Sequence, residues 1–105
     1  MEITVYTKNA KDLLSKMSKK IKNDELKTWD IIKDRENNDL FSHTPDQWKE
    51  KAMLKSKINS ENLKFIICWW EGKEPEERIK GYILGRFIEV LMVHFRKEFI
   101  KINVE

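Results

Sequence analysis

Apolar and polar positions alternate first with the period of a strand. In residues 2–7, EITVYT, Ile3 and Val5 fall on one side and Thr4 and Tyr6 on the other, which predicts a half-buried strand. The period then lengthens. Ala10, Leu13, Leu14, Met17 and Ile21 recur at helical spacing behind Asn9, a side chain suited to the N-cap, with Asp12 in the first turn. A helix over 10–22 follows, its outer side carrying Lys11, Lys16, Lys19, Lys20 and Lys22. Lysines gathered toward a helix C-terminus are favoured by the macrodipole and require no ligand.

Two short apolar stretches, TWDII and DLFSH, flank the polar string DRENN and predict a β-hairpin with its loop near 34–38. In HTPDQWKEKA, Thr44 offers an N-cap oxygen, Pro45 sits at the first helical position and Gln47 lies three residues past the cap. That is a capping box, and it predicts a helix of about two turns with Trp48 and Ala52 on its buried side.

Residues 52–58, AMLKSKI, set Leu54 and Ile58 against Lys55 and Lys57, and NSEN reads as a turn. In NLKFIICWW, Leu63, Phe65, Ile67 and Trp69 share one face, while Ile66, Cys68 and Trp70 make the other largely apolar too. A strand apolar on both sides belongs in the interior of a sheet. From Pro75 onward Ile79, Ile83, Leu84, Phe87, Ile88, Leu91, Phe95 and Phe99 predict one long helix over roughly 76–100.

The elements sum to the order βα-ββ-α-ββ-α. Short turns join strands only antiparallel, so the expected fold is α+β, a mostly antiparallel sheet of four to five strands with helices packed on one face. One domain accounts for residues 1–105.

The last helix is wider in apolar surface than one-sided packing needs, since a stripe of ~100° suffices. Val90, Met92, Val93 and Ile100 fall outside that stripe, and Gly81 and Gly85 stand four apart on one edge. Either the chain's own loops wrap the helix or a second copy does. Trp70, Cys68 and Ile66 point to the sheet face that the helices leave uncovered, and a bare apolar patch marks an interface. The expectation is a homodimer with Trp70, Gly81, Gly85 and Met92 at its interface.

Composition narrows the classes. With 40% apolar residues, three glycines and two prolines, disorder and low-complexity linkers are excluded. A single cysteine, Cys68, excludes an internal disulfide, and the N-terminal MEITVYTK carries no apolar signal segment. No apolar run approaches the ~20 residues that span a bilayer, so the expected compartment is the cytoplasm and no membrane is a partner. The net charge of +3 comes from nearly balanced acids and bases, with lysine far ahead of arginine. Nucleic-acid readers concentrate positive charge and use arginine on bases; nucleic acid is not the expected partner, and Lys16, Lys19, Lys20 and Lys22 suggest it only by charge.

Chemistry is sparse. His43 has no second histidine, cysteine pair or carboxylate at metal-ligand spacing, and it is placed to bond a loop carbonyl. His94 falls inside the apolar arc of the last helix, with Glu98 one turn on as a partner for its N–H. A pocket between helix and sheet would use His94, Phe87 and Trp69, with Tyr82, Arg86 and Glu89 at its rim, for a small apolar ligand. Cys68 reads as a buried, inert thiol. No glycine-rich phosphate loop and no nucleophile beside its base occur, so no cofactor or metal is expected. The favoured function is a non-catalytic dimeric binding or interaction module, with a protein as its expected partner. Ligand binding near His94 is one alternative; a small enzyme using His43 or His94 as general base is another.

Two stretches, HTPDQWKEKAML (43–54) and GRFIEVLMVHF (85–95), resemble a small set of uncharacterised bacterial proteins of the kind carried on integron mobile gene cassettes. The resemblance implies a compact α+β domain and transfers no catalytic residue. The ENNDLF region departs from it.

Overall fold

The computed structural model describes residues 1–105. Its elements are β1 (Glu2–Tyr6), α1 (Ala10–Lys22), β2 (Trp29–Lys33), β3 (Asp39–His43), β4 (Met53–Ile58), β5 (Asn62–Cys68), α2 (Glu77–His94) and β6 (Lys101–Val104). All six strands form one antiparallel sheet in the order β2-β3-β4-β5-β1-β6. Loops join antiparallel neighbours, from β2 through β5. Each helix joins strands that run the same way, β1 to β2 and β5 to β6, because such a connection must cross the sheet.

The α+β class, the antiparallel sheet and the one-sided helices are as the pattern predicts. Local signals act where they were read. Asn9 Oδ1 accepts from the Asp12 N–H at 3.0 Å to start α1. The chain leaves α1 with Asp24 at φ 61, and the Glu25 N–H returns to the Lys20 carbonyl at 2.9 Å, a Schellman closure with an aspartate where glycine is usual. The β2–β3 loop is closed by Asp34, whose side chain accepts from the Glu36 and Asn38 N–H groups at 2.9 and 2.8 Å.

Three expectations are corrected. The strands number six, not four to five. The helix expected from Thr44 is absent: residues 45–50 make one turn, in which the Trp48 and Lys49 N–H groups bond the Pro45 carbonyl at 2.8 and 2.9 Å. Thr44 extends the hairpin instead, its N–H bonding the Thr28 carbonyl at 2.8 Å, and Glu50 at φ 54 turns the chain toward β4. A capping box adds about 1 kcal/mol, too little to carry two turns against the cost of nucleation.

The last helix also stops early, at His94, and the chain ends in β6 rather than in helix. Thr7 donates its hydroxyl proton to the Glu98 carbonyl at 2.7 Å, and the Ile100 N–H bonds the Tyr6 carbonyl at 2.8 Å. These bonds turn the chain so that Ile102 lies opposite Val5 and Val104 opposite Ile3. Phe95 and Phe99 are buried, but across a corner and not on successive helical turns.

One core lies between the sheet and both helices. Alternate strand residues, Ile3, Val5, Phe41, Leu54, Leu63, Phe65 and Ile67, meet Leu13 and Met17 of α1 and Ile83, Phe87 and Leu91 of α2. Phe87 is the hub, with ring centroids 4.6 Å from Phe65, 5.2 Å from Trp29 and 5.6 Å from Phe41. Val90 is buried as well, so the chain itself covers part of the apolar helix surface beyond the core stripe. No helix is long and apolar enough to cross a membrane.

Candidate functional site

The register of β2 on β3 sets Trp29 opposite His43 at the end of the hairpin nearest α2's last turns. The two rings lie 4.7 Å apart, and His43 is only 5% exposed. Its Nδ1 stands 2.8 Å from the Thr28 carbonyl. A carbonyl only accepts, so Nδ1 holds the proton and donates it; in the neutral ring, Nε2 is left with a lone pair.

Nε2 has no partner in the chain. Only one buried polar side-chain atom lacks a hydrogen bond, Asp39 Oδ1, and Lys33 holds that oxygen in an ion pair. Nε2 is therefore not sealed in the core but opens onto the cleft that His43 lines. Burial pushes the His43 pKa below its ordinary value, the Thr28 bond opposes that shift, the Arg86 charge reinforces it and Glu89 opposes it.

The cleft measures about 360 Å³ and lies between α2 and the segment entering β2. Leu26, Val90 and Val93 give it apolar walls, and Glu25, Lys27 and the Arg86–Glu89 pair (3.5 Å) stand with His94 around it. It brings both histidines and Arg86 together.

The expected set about His94 is otherwise dispersed. His94 is exposed, not inside the apolar arc, because the helix ends on it and Phe95 takes the buried position. Glu98 is held by Lys16 at 3.2 Å instead of accepting from His94. Phe87 is wholly buried in the core, while Tyr82 lies beside Trp48 at 5.2 Å. Trp69 packs against the core near the start of α2, under the Lys80 ammonium at 4.3 Å, and shares no cleft with His94.

Lys80 itself escaped the sequence reading. It is 5% exposed, with Nζ 2.6 Å from Glu74 and 3.0 Å from Glu77. Those carboxylates, Glu74 first, raise its pKa and keep it a cation. It anchors the 69–76 segment and is no nucleophile. The signal was present: a lysine within the arc of Ile83, Leu84 and Phe87.

Trp70 lines a broader cleft of about 930 Å³ with the β2–β3 loop and residues 71–76, its indole N–H donating to Glu50 at 3.2 Å. The expected bare patch at Trp70, Cys68 and Ile66 is broken up. Trp70 and Cys68 are half-buried, lysines 55 and 64 interrupt the face, and Ile66 stands exposed between them. Burial raises the Cys68 thiol pKa, which keeps it protonated and unreactive.

The outer face of α2 is different. A Cβ built on Gly81 or Gly85 meets nothing within 4 Å. These glycines seat nothing against the sheet. Along the same helix Tyr82, Met92 and Val93 are 54%, 47% and 68% exposed.

No group of three or more His, Cys, Asp or Glu side chains converges as a metal site. No protein-family model, curated protein or solved structure matches the chain.

Proposed function

We propose that the chain is a non-catalytic binding module that works as a homodimer joined through the outer face of α2. Gly81 and Gly85 carry this reading. A glycine inside a helix costs up to ~1 kcal/mol relative to alanine, and nothing within the subunit occupies the space before either one. That cost has no return inside the subunit. Bare backbone lets a second helix come closer than the usual ~8–10 Å between axes, and the exposed Tyr82 and Met92 add apolar surface along the same helix. A twofold pairing of α2 with itself uses the same patch on both copies, the commonest form of small oligomer.

Sedimentation equilibrium on the chain and two variants tests the reading. Gly85→Ala has room in the subunit, so it should stabilise the helix while weakening association. Gly85→Arg should give a folded monomer with an unchanged circular dichroism spectrum. If Gly85→Arg associates as the unmodified chain does, the α2 face is not the contact.

A second reading is favoured by one observation, the open Nε2 of His43. The cleft beside it, at about 360 Å³, falls at the low end of the ~300–1,000 Å³ range of small-molecule sites, and supports binding of a compact ligand.

A further inference from the structure

Resting on that second reading, we propose that the His43 cleft takes a small, neutral, flat molecule bearing one hydroxyl or N–H donor, a phenol being the simplest. The donor meets His43 Nε2 and the ring lies against Leu26, Val90 and Val93.

The polarity of the contact follows from the fixed tautomer. The Nδ1 proton is committed to the Thr28 carbonyl at 2.8 Å, so the neutral ring presents only an acceptor to the cleft. A ligand without a donor would cover that acceptor and leave it unpaired, at a cost of ~1–3 kcal/mol. A ligand that covers this acceptor takes it out of water, and a site that must then pair a polar group discriminates against an analogue lacking the complementary donor.

The shape and charge of the ligand follow from the rest of the lining. The Trp29–His43 pair forms an aromatic end, with the rings tilted by 33°. The charged groups about His43 are Glu25 and Lys27 from the segment before β2, and Arg86 and Glu89 from α2, two acids against two bases, with His94 at the helix end. Arg86 and Glu89 already meet at 3.5 Å. The four lining charges sum to zero, so the cleft offers no net attraction to a charged ligand.

The test is a titration of the isotopically labelled chain with phenol and, separately, with toluene, followed through the imidazole ¹⁵N resonances of His43. Phenol should move the Nε2 resonance saturably in the direction of hydrogen bonding and leave Nδ1 in place. Toluene, which has the shape without the donor, should bind more weakly and leave Nε2 unmoved. His43→Phe keeps a ring on Trp29 and removes the acceptor, so the preference for phenol should fall about five- to tenfold, the worth of one hydrogen bond. If that variant does not fold, the titration of the unmodified chain still decides. Saturable binding of both compounds with equal affinity and an unmoved Nε2 overturns the donor requirement while leaving a ligand cleft. Binding of neither overturns both.

Discussion

His43 and Thr28 are joined by a 2.8 Å bond from imidazole Nδ1 to the backbone carbonyl, which fixes a buried ring at the mouth of a cleft. The same bond ties the entrance of β2 to the end of β3, so one residue serves the hairpin and the cleft together.

Folding stability should therefore follow the titration of His43. In the unfolded chain the group titrates near 6.5, and in the folded chain lower. Below 6.5 the unfolded state binds the proton first, so the sign is a loss of stability as pH falls. The contribution is complete above 6.5, declines through the interval between the two values and is gone below the folded one. Urea denaturation at a series of pH values should show that slope, and His43→Phe should remove it. The variant should also lose about 1 kcal/mol at neutral pH with the Thr28 bond.

Phe87 should be the most sensitive position of the core. It touches Trp29, Phe41 and Phe65 within 5.6 Å, and truncation leaves a cavity that three rings from three strands cannot collapse into. Phe87→Ala should cost about 3–5 kcal/mol by denaturant titration.

The two ends of α1 should respond in opposite directions. Asn9→Ala removes the acceptor of the Asp12 N–H and should cost about 1 kcal/mol. Asp24→Gly relieves a left-handed backbone at φ 61 and should stabilise the chain by up to about 1 kcal/mol. Thermal denaturation of the two single variants checks both signs.

Much of this fold was legible because its signals are local. Alternation marked β1 and β5, and the Asn9 cap with apolar spacing marked α1. The DRENN string placed the hairpin loop. The failures came where distant contacts outweigh local preference. The Thr44 signal competes with a backbone bond to Thr28, far away in sequence across the β2–β3 hairpin. The sequence FRKEFIKINVE holds no glycine or proline stop, and the bonds of Thr7 and Tyr6 end the helix there.

The site was less legible than the fold. His43 bonds a loop carbonyl as its place before Thr44 suggests, and helical spacing groups Arg86 and Glu89 with His94, but nothing in sequence brings His43 to the same cleft. His94 was misplaced by one consequence of the early helix end. Spacing puts Gly81 and Gly85 on one edge of the helix without saying what that edge faces, and the structure turns it to solvent.

The proposed pairing of two α2 helices is tested most directly by the mass of the unmodified chain in solution, measured by light scattering at micromolar concentration. Association through Gly81 and Gly85 predicts a particle of twice 12.7 kDa. A particle of 12.7 kDa across that range would contradict it.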